Sequence, residues 1–359
     1  MTWLNPVDRQ YHTILEELLK APIRGDRTGT GTRSLFGRQL RFSNLETQFP
    51  LITTKKVWFK GIFHELKWML MGDTNIKYLV DNGVSIWTDW PLKKYNAENH
   101  DFPLTKEDFE NKIRTNGRDW GSNELFADKW GDCGPVYGYQ WRNWKIVTAE
   151  HNKNWSIGGI DQIAQVINDL KTAPESRRMI VSAWNVADIP EMIPSGLPPC
   201  HYTFQFYTRP LSMKERLNRS ELYDLNEQWM SDSSMAGKNK RKLDEEGIPE
   251  RYLDCHVVIR SNDAYLGMPF NIAQYALLTH LMANTVNMIP GELVYTVGDC
   301  HLYRNHEDQA KEQLSRYSAG ESPKLFINNR YDDPKNYEWS DIRLDDYISH
   351  DTIKAPIAV

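Results

Sequence analysis

Cys200 stands in LPPCHYTFQFY, directly after two prolines that fix the backbone and at the entrance to a run rich in aromatic residues. A thiol mounted so rigidly suits a nucleophile, and a small buried structural thiol is the alternative. Reactivity would require a lowered pKa. His201 follows at once, yet successive strand side chains point to opposite faces, so it is badly placed to deprotonate Cys200 and a cysteine-protease mechanism is disfavoured. Positive charge is the other activator: Arg27 lies in DRTGTGTRS, Arg177 and Arg178 in APESRRMIVSAWN, and Arg260 with Ser261 at the end of LDCHVVIRS. Converging guanidinium groups would make an anion site that favours the thiolate, whereas dispersed ones are surface ion pairs. Glu65 lies among Phe59, Ile62, Phe63, Leu66 and Met69, where an ionised carboxylate needs partners or a task. Trp87 and Trp90 in IWTDW could fill core or stack on a flat ligand. Asp299, His301 and Tyr303 alternate in VGDCHLYRNH and would share one strand face, either solvent-exposed or ligand-lining.

The elements that must carry these residues alternate along the chain. Residues 58–71 read as a buried helix, and 160–171 as an amphipathic one with Ile160, Ile163, Ile167 and Leu170 on one stripe, closed by Pro174. Segments 178–185, 201–208 and 253–261 read as strands, and 271–286 is apolar enough for a central helix. The pattern predicts an α+β or mixed α/β chain. Two segments look inserted: 92–129, polar and poor in periodic apolar positions, and 210–250, whose KNKRK run beside Asp244, Glu245 and Glu246 reads as a solvated loop between two strands. With no repeat and no Pro/Gly/Ser-rich linker, residues 1–359 are expected to form one domain with these insertions.

Composition narrows the function classes. The 359 residues are 40% hydrophobic and 25% charged, the balance of a globular protein, and a net charge of -5 argues against DNA or a membrane surface as a partner. The N-terminus lacks a secretory pattern, and no apolar run is long enough to span a bilayer, so a cytoplasmic protein is expected. The cysteines at 133, 200, 255 and 300 show no metal-ligand spacing, and no structural zinc or other metal is expected. GTGT lacks the third glycine of a dinucleotide fingerprint, and no phosphate-binding P-loop is present.

An ordered series of blocks, DRTGTGTRSLFG, PLITTKK, HELKWMLMGDTNI, IWTDW, GPVYGYQWRNW, PESRRMIVSAWN, LPPCH, RSNDAYLGMPFNIAQYALL, GDCHLYRNH and KAPIAV, resembles the thymidylate synthase family over nearly the whole chain outside the two inserts. The resemblance implies a large twisted mixed β-sheet with surrounding helices, packed across a homodimer interface, with arginines shared between subunits. The substrate would be deoxyuridylate (dUMP), and 5,10-methylenetetrahydrofolate would be the one-carbon donor and reductant. Cys200 would add to pyrimidine C6, making C5 nucleophilic. By the same resemblance Arg27, Arg260 and Ser261, with Arg177 and Arg178 from the partner, would hold the phosphate. Asn271 would read the O4/N3 edge of uracil, and His301 and Tyr303 the deoxyribose hydroxyl, with His201 and Asp263 also lining the nucleotide. Glu65 and Tyr137 would handle protons. Lys55, Ile86, Trp87, Trp90, Leu197, Asp263, Gly267, Phe270, Ala358 and Val359 would contact the folate, with Lys55 near its glutamate tail and the C-terminal segment closing over the complex.

The alternative is a deoxyuridylate hydroxymethylase, in which water replaces hydride in the last step. Trp87 and the terminal Ala-Val, expected to shield the C5 methylene from water, favour the synthase. Thr88, where the family often has Asp, and Ile259, where Gln is common, depart from the pattern. A cytidylate hydroxymethylase is disfavoured because the C4 amino group of cytosine calls for an acid rather than Asn271. A catalytically inactive nucleotide- or RNA-binding relative would need neither Cys200 nor Glu65.

Overall fold

Aromatic and β-branched residues at alternate positions build the main sheet in a computed structural model that describes residues 3–26, 29–119, 123–149, 155–195, 198–220 and 236–356. Its strands are β1 (Ile23–Arg24), β2 (Thr32–Phe42), β5 (Ile180–Ser182), β6 (His201–Pro210), β7 (Arg251–Asp263) and β8 (Ile289–Tyr303), in the order β1-β2-β8-β7-β6-β5. Only β7 and β8 run parallel; the other neighbours are antiparallel, so the sheet is mixed. Two separate two-stranded antiparallel sheets pair β3 (Trp144–Ala149) with β4 (Trp155–Ile160) and β9 (Lys324–Ile327) with β10 (Ile342–Asp345).

One face of the sheet is covered. Phe204, Phe206, Val257, Tyr295 and Val297 point inward, and α12 (Gly267–Thr285), apolar on all sides as a central helix must be, lies over β7 and β8 and against α2 (Phe59–Leu70). Helix α1 (Pro6–Lys20) starts with the Asn5 side chain accepting from the Asp8 N–H and with proline in its first turn, and it packs on β2. Further helices surround this core: α3 (Lys77–Asp81), α4 (Asp89–Glu98), α5 (Lys106–Thr115), α6 (Phe126–Trp130), α7 (Tyr137–Asn143), α8 (Gln162–Thr172), α9 (Ile189–Ser195), α10 (Met213–Leu217), α11 (Ala236–Glu245) and α13 (Glu307–Leu314). The opposite face carries Gln39, Ile180, Thr203, Gln205, Tyr207, His256, Val258, Val294 and Thr296, which the strand registers align side by side. Ile180 and Tyr207 on it are 48% and 59% exposed.

The expected helices at 58–71, 160–171 and 271–286 and strands at 201–208 and 253–261 match α2, α8, α12, β6 and β7, while 178–185 is strand only over Ile180–Ser182. The internal character read for segments 92–129 and 210–250 needs correction. Residues 92–129 are not apolar-poor filler: Phe109 and Ile113 of α5 are fully buried, and Tyr95, Phe109, Phe126 and Trp130 form an aromatic box. The described part of 210–250 is not a solvated loop. The run containing KNKRK forms α11, and the buried Arg216 of α10 donates to Asp244 (2.7 Å) and to the carbonyls of Ile248 (2.9 Å) and Pro249 (3.1 Å). Four-residue spacing was present in both segments, but their high charge density masked it.

Candidate active site

Strand register brings the chemistry to one end of the sheet. Cys200 sits immediately before β6, and because β6 and β7 are antiparallel it lies beside the end of β7, with its carbonyl accepting the Arg260 N–H at 2.8 Å. The parallel pairing of β7 with β8 then aligns Ser261 with Asp299 and Asp263 with His301. Ser34 on β2 pairs with His301 and hydrogen-bonds Asp299. The residues at positions 261, 263, 299, 301 and 303 therefore converge on the end of the sheet that holds Cys200.

The cysteine turn is locked from two sides. Arg260 donates to the carbonyls of Pro198 and Pro199, both at 2.9 Å, and its Nη2 lies 3.7 Å from Cys200 Sγ. Tyr137, the first residue of α7, accepts the Cys200 N–H at 2.8 Å through its hydroxyl. Its ring stacks on His201 at 3.8 Å and 8°, and His201 Nδ1 meets the Tyr275 hydroxyl at 2.7 Å. Burial pushes the His201 imidazole down to about 3, so it is neutral, committed to Tyr275 and no base for Cys200, as strand alternation predicts. The thiol itself is held above its ordinary value, because burial outweighs the opposing pull of Arg260. Among the described residues of one chain, then, the cationic surroundings do not by themselves make a thiolate.

Glu65 faces this pocket from α2. Trp87 Nε1 donates to its Oε1 at 2.7 Å and Gln274 Nε2 to its Oε2 at 2.9 Å, while burial raises the carboxyl to about 7 against those two bonds. Trp87 also meets the edge of Tyr137 at 6.0 Å and lies 5.7 Å from Trp90. The Thr88 hydroxyl next to it, almost completely buried, donates to Glu110 of α5 at 2.7 Å. A carboxylate in place of Thr88 would face Glu110, so the threonine suits its contact with α5.

Asn271 and Phe270, both partly exposed, lie in α12, where the Tyr295 hydroxyl hydrogen-bonds Asn271 and donates to Asn262 Oδ1 at 2.6 Å. A side chain at Gly267 would come within 3.1 Å of the Asn262 amide, so glycine keeps that approach open. His301 is buried with Nδ1 3.8 Å from Asp299, its ring edge-on to Tyr303 at 5.1 Å. Asp263 accepts the N–H groups of Tyr265 (2.8 Å) and Leu266 (3.2 Å), which shapes the turn into α12. Ile86 is 42% exposed beside the indoles.

Other expected residues are placed elsewhere. Lys55 is buried, with Nζ 2.5 Å from the Tyr265 carbonyl and 3.6 Å over its ring, and burial lowers it to about 7. It would have to swing outward to meet a solvent-borne carboxylate. Arg177 and Arg178 are exposed at the approach to β5, where the Arg177 carbonyl accepts from Gln205. From Cys200 to Gln205 is roughly 17 Å of strand, so the two arginines do not reach the thiol of their own chain. Arg27, Leu197, Ala358 and Val359 lie outside the described residues. Gln274, Tyr275, Tyr295 and Asn262 went unnoticed in the sequence, although Gln274 shares a helix face with Asn271 at three-residue spacing.

A cysteine just before β6 braced by an arginine, a buried carboxylate of raised proton affinity and an asparagine on α12 come from distant parts of the chain, so a family that shares them must match along most of it. The thymidylate synthase family model matches residues 9–359. The chain therefore belongs to the thymidylate synthase family.

Proposed function

We propose that the protein is a thymidylate synthase, converting dUMP to dTMP with 5,10-methylenetetrahydrofolate as carbon donor and reductant. Family membership places it among methyl- and hydroxymethyl-transferring enzymes. The observation that carries the finer reading is the hydrogen bond between Trp87 and Glu65: it ties the indole that would shield the C5 methylene to the group that would move protons on the pyrimidine. In this reading Cys200 Sγ adds to C6, and Arg260, which opposes the burial that holds the thiol protonated, contributes to the phosphate site. Asn271 reads the O4/N3 edge. Tyr137, hydrogen-bonded to the Cys200 backbone, supports removal of the C5 proton. Ile86, Trp90 and Phe270, each at least partly exposed, are available to a pterin ring.

The working unit is proposed to be a homodimer formed through the open sheet face. Arg260 has the strand parity of His256 and Val258, so a second sheet laid on that face could bring its own Arg177 and Arg178 toward the phosphate. We further propose one catalytic domain across residues 1–359, with the inserts as docked additions, working in the cytoplasm. Incubating the protein with dUMP and methylenetetrahydrofolate, and following dihydrofolate absorbance and nucleotide mass, tests the reaction. Thymidylate with equimolar dihydrofolate is expected, and loss of turnover in Cys200→Ala should accompany it. A hydroxymethyl product without dihydrofolate would instead identify the hydroxymethylase reaction.

A further inference from the structure

Glu65 has two partners of different chemistry. Trp87 Nε1 donates to Oε1, and an indole N–H can only donate, so this oxygen is held as an acceptor in both protonation states. Gln274, 2% exposed, donates to Oε2 at 2.9 Å through an amide that carries an acceptor as well; reversing the amide exchanges the two. The other groups facing the carboxyl are the buried phenols of Tyr137 on α7 and Tyr275 on α12, both held neutral by burial, with the Cys200 thiol and Arg260 beyond Tyr137. The immediate partners of Glu65 are thus uncharged, and their hydrogen-bonding capacity decides where a proton can sit.

We propose that Gln274 is a positioning residue for proton transfer at Glu65, keeping the exchangeable proton on Oε2 by donating to the carboxylate and, with its amide reversed, accepting from the carboxylic acid. The inference rests on reading Glu65 as the proton-handling group of the proposed reaction. It explains why a fully buried glutamine, rather than a second fixed donor, stands on the helix that also carries Asn271. With two obligate donors the neutral carboxyl would lose a bond each time it took up a proton.

The test reads Glu65 directly, without turnover. Carboxyl-labelled glutamate is introduced into the full-length protein and titrated by carbon NMR, with the Glu65→Gln spectrum subtracted. The wild-type midpoint is expected near 7. Gln274→Met, similar in length but with no amide, loses a stronger bond to the carboxylate and a weaker one to the acid, so it should raise the midpoint by about one unit, and the acid limb of kcat should move with it while KM for dUMP holds. Gln274→Glu should split the titration into two steps belonging to the carboxyl pair. Should Gln274→Met fail to fold, Gln274→Asn, whose amide is too short to reach, is read in its place with the same upward shift expected. An unchanged midpoint in the variant read overturns the inference. A shifted midpoint in a protein that makes neither thymidylate nor the hydroxymethyl nucleotide would leave Gln274 in its role and sink the reaction assigned above.

Discussion

At the scale of single residues, the site works against stability. Glu65 titrates near 4.5 when exposed and near 7 in the folded chain, so the folded state binds its proton more tightly. Its contribution is therefore fully present below about pH 4.5 and is lost as pH rises through about 7, at a cost of up to about 3 kcal/mol above that. Glu65→Gln should accordingly gain stability over the wild type progressively between these limits and level off above them, as denaturant unfolding at several pH values would show. A difference independent of pH would contradict the burial account. His201 has the opposite sign. Its folded value is lowered to about 3 from 6.5, so the stability it contributes is complete above about pH 6.5 and is lost as pH falls through 3. His201→Gln should lose less stability than the wild type on acidification from pH 6 to 4, measured by thermal unfolding.

At the scale of elements, the described parts of segments 92–129 and 210–250 act as braces. Helix α5 holds the segment around Trp87 through Glu110 to Thr88 and through Lys106 to Asp89 at 2.8 Å. Helices α10 and α11 are joined by Arg216, whose side chain is only 5% exposed and satisfies one carboxylate and two carbonyls. Arg216→Ala removes those bonds and should cost the insert about 2 kcal/mol. Hydrogen exchange is expected to accelerate across 213–217 and 236–245 and to stay unchanged in β6 and β7, because the sheet pairs through its own ladder. Exchange rising equally in both strands would mean that the insert is part of the sheet's stability.

At the scale of the whole molecule, one chain leaves two things unfinished: a sheet face with Ile180 and Tyr207 exposed, and two arginines roughly 17 Å of strand from the thiol they are proposed to serve. A two-fold partner would complete both. Mixing Cys200→Ala chains with Arg178→Ala chains, each inactive alone, should restore about a quarter of wild-type activity, since half of the random dimers are mixed and each contains one intact site. No recovery after verified subunit exchange would mean that Arg178 serves its own chain. Separately, Tyr207→Glu should shift the sedimentation of the protein toward monomer by burying a charge in the contact.

How much was legible in advance follows from the range of the forces. Local patterns determined the long apolar helix α12, strands β6 and β7, and the isolated carboxylate of Glu65, because hydrophobic period and backbone preference act over neighbouring residues. Strand alternation by itself also separates His201 from Cys200. Charge density hid the helices of both inserts, whose amphipathic faces exist only against Tyr95, Trp130 and the Arg216 cluster. Sequence by itself thus determined which chemical groups the chain owns and the elements that carry them. Tertiary structure alone decided which of them meet: Gln274 and Trp87 reach Glu65 from positions 209 and 22 residues away, and burial turns the Cys200 thiol upward despite Arg260. Desolvation and long-range contact depend on what the folded chain places around a group, and no spacing along the chain encodes that.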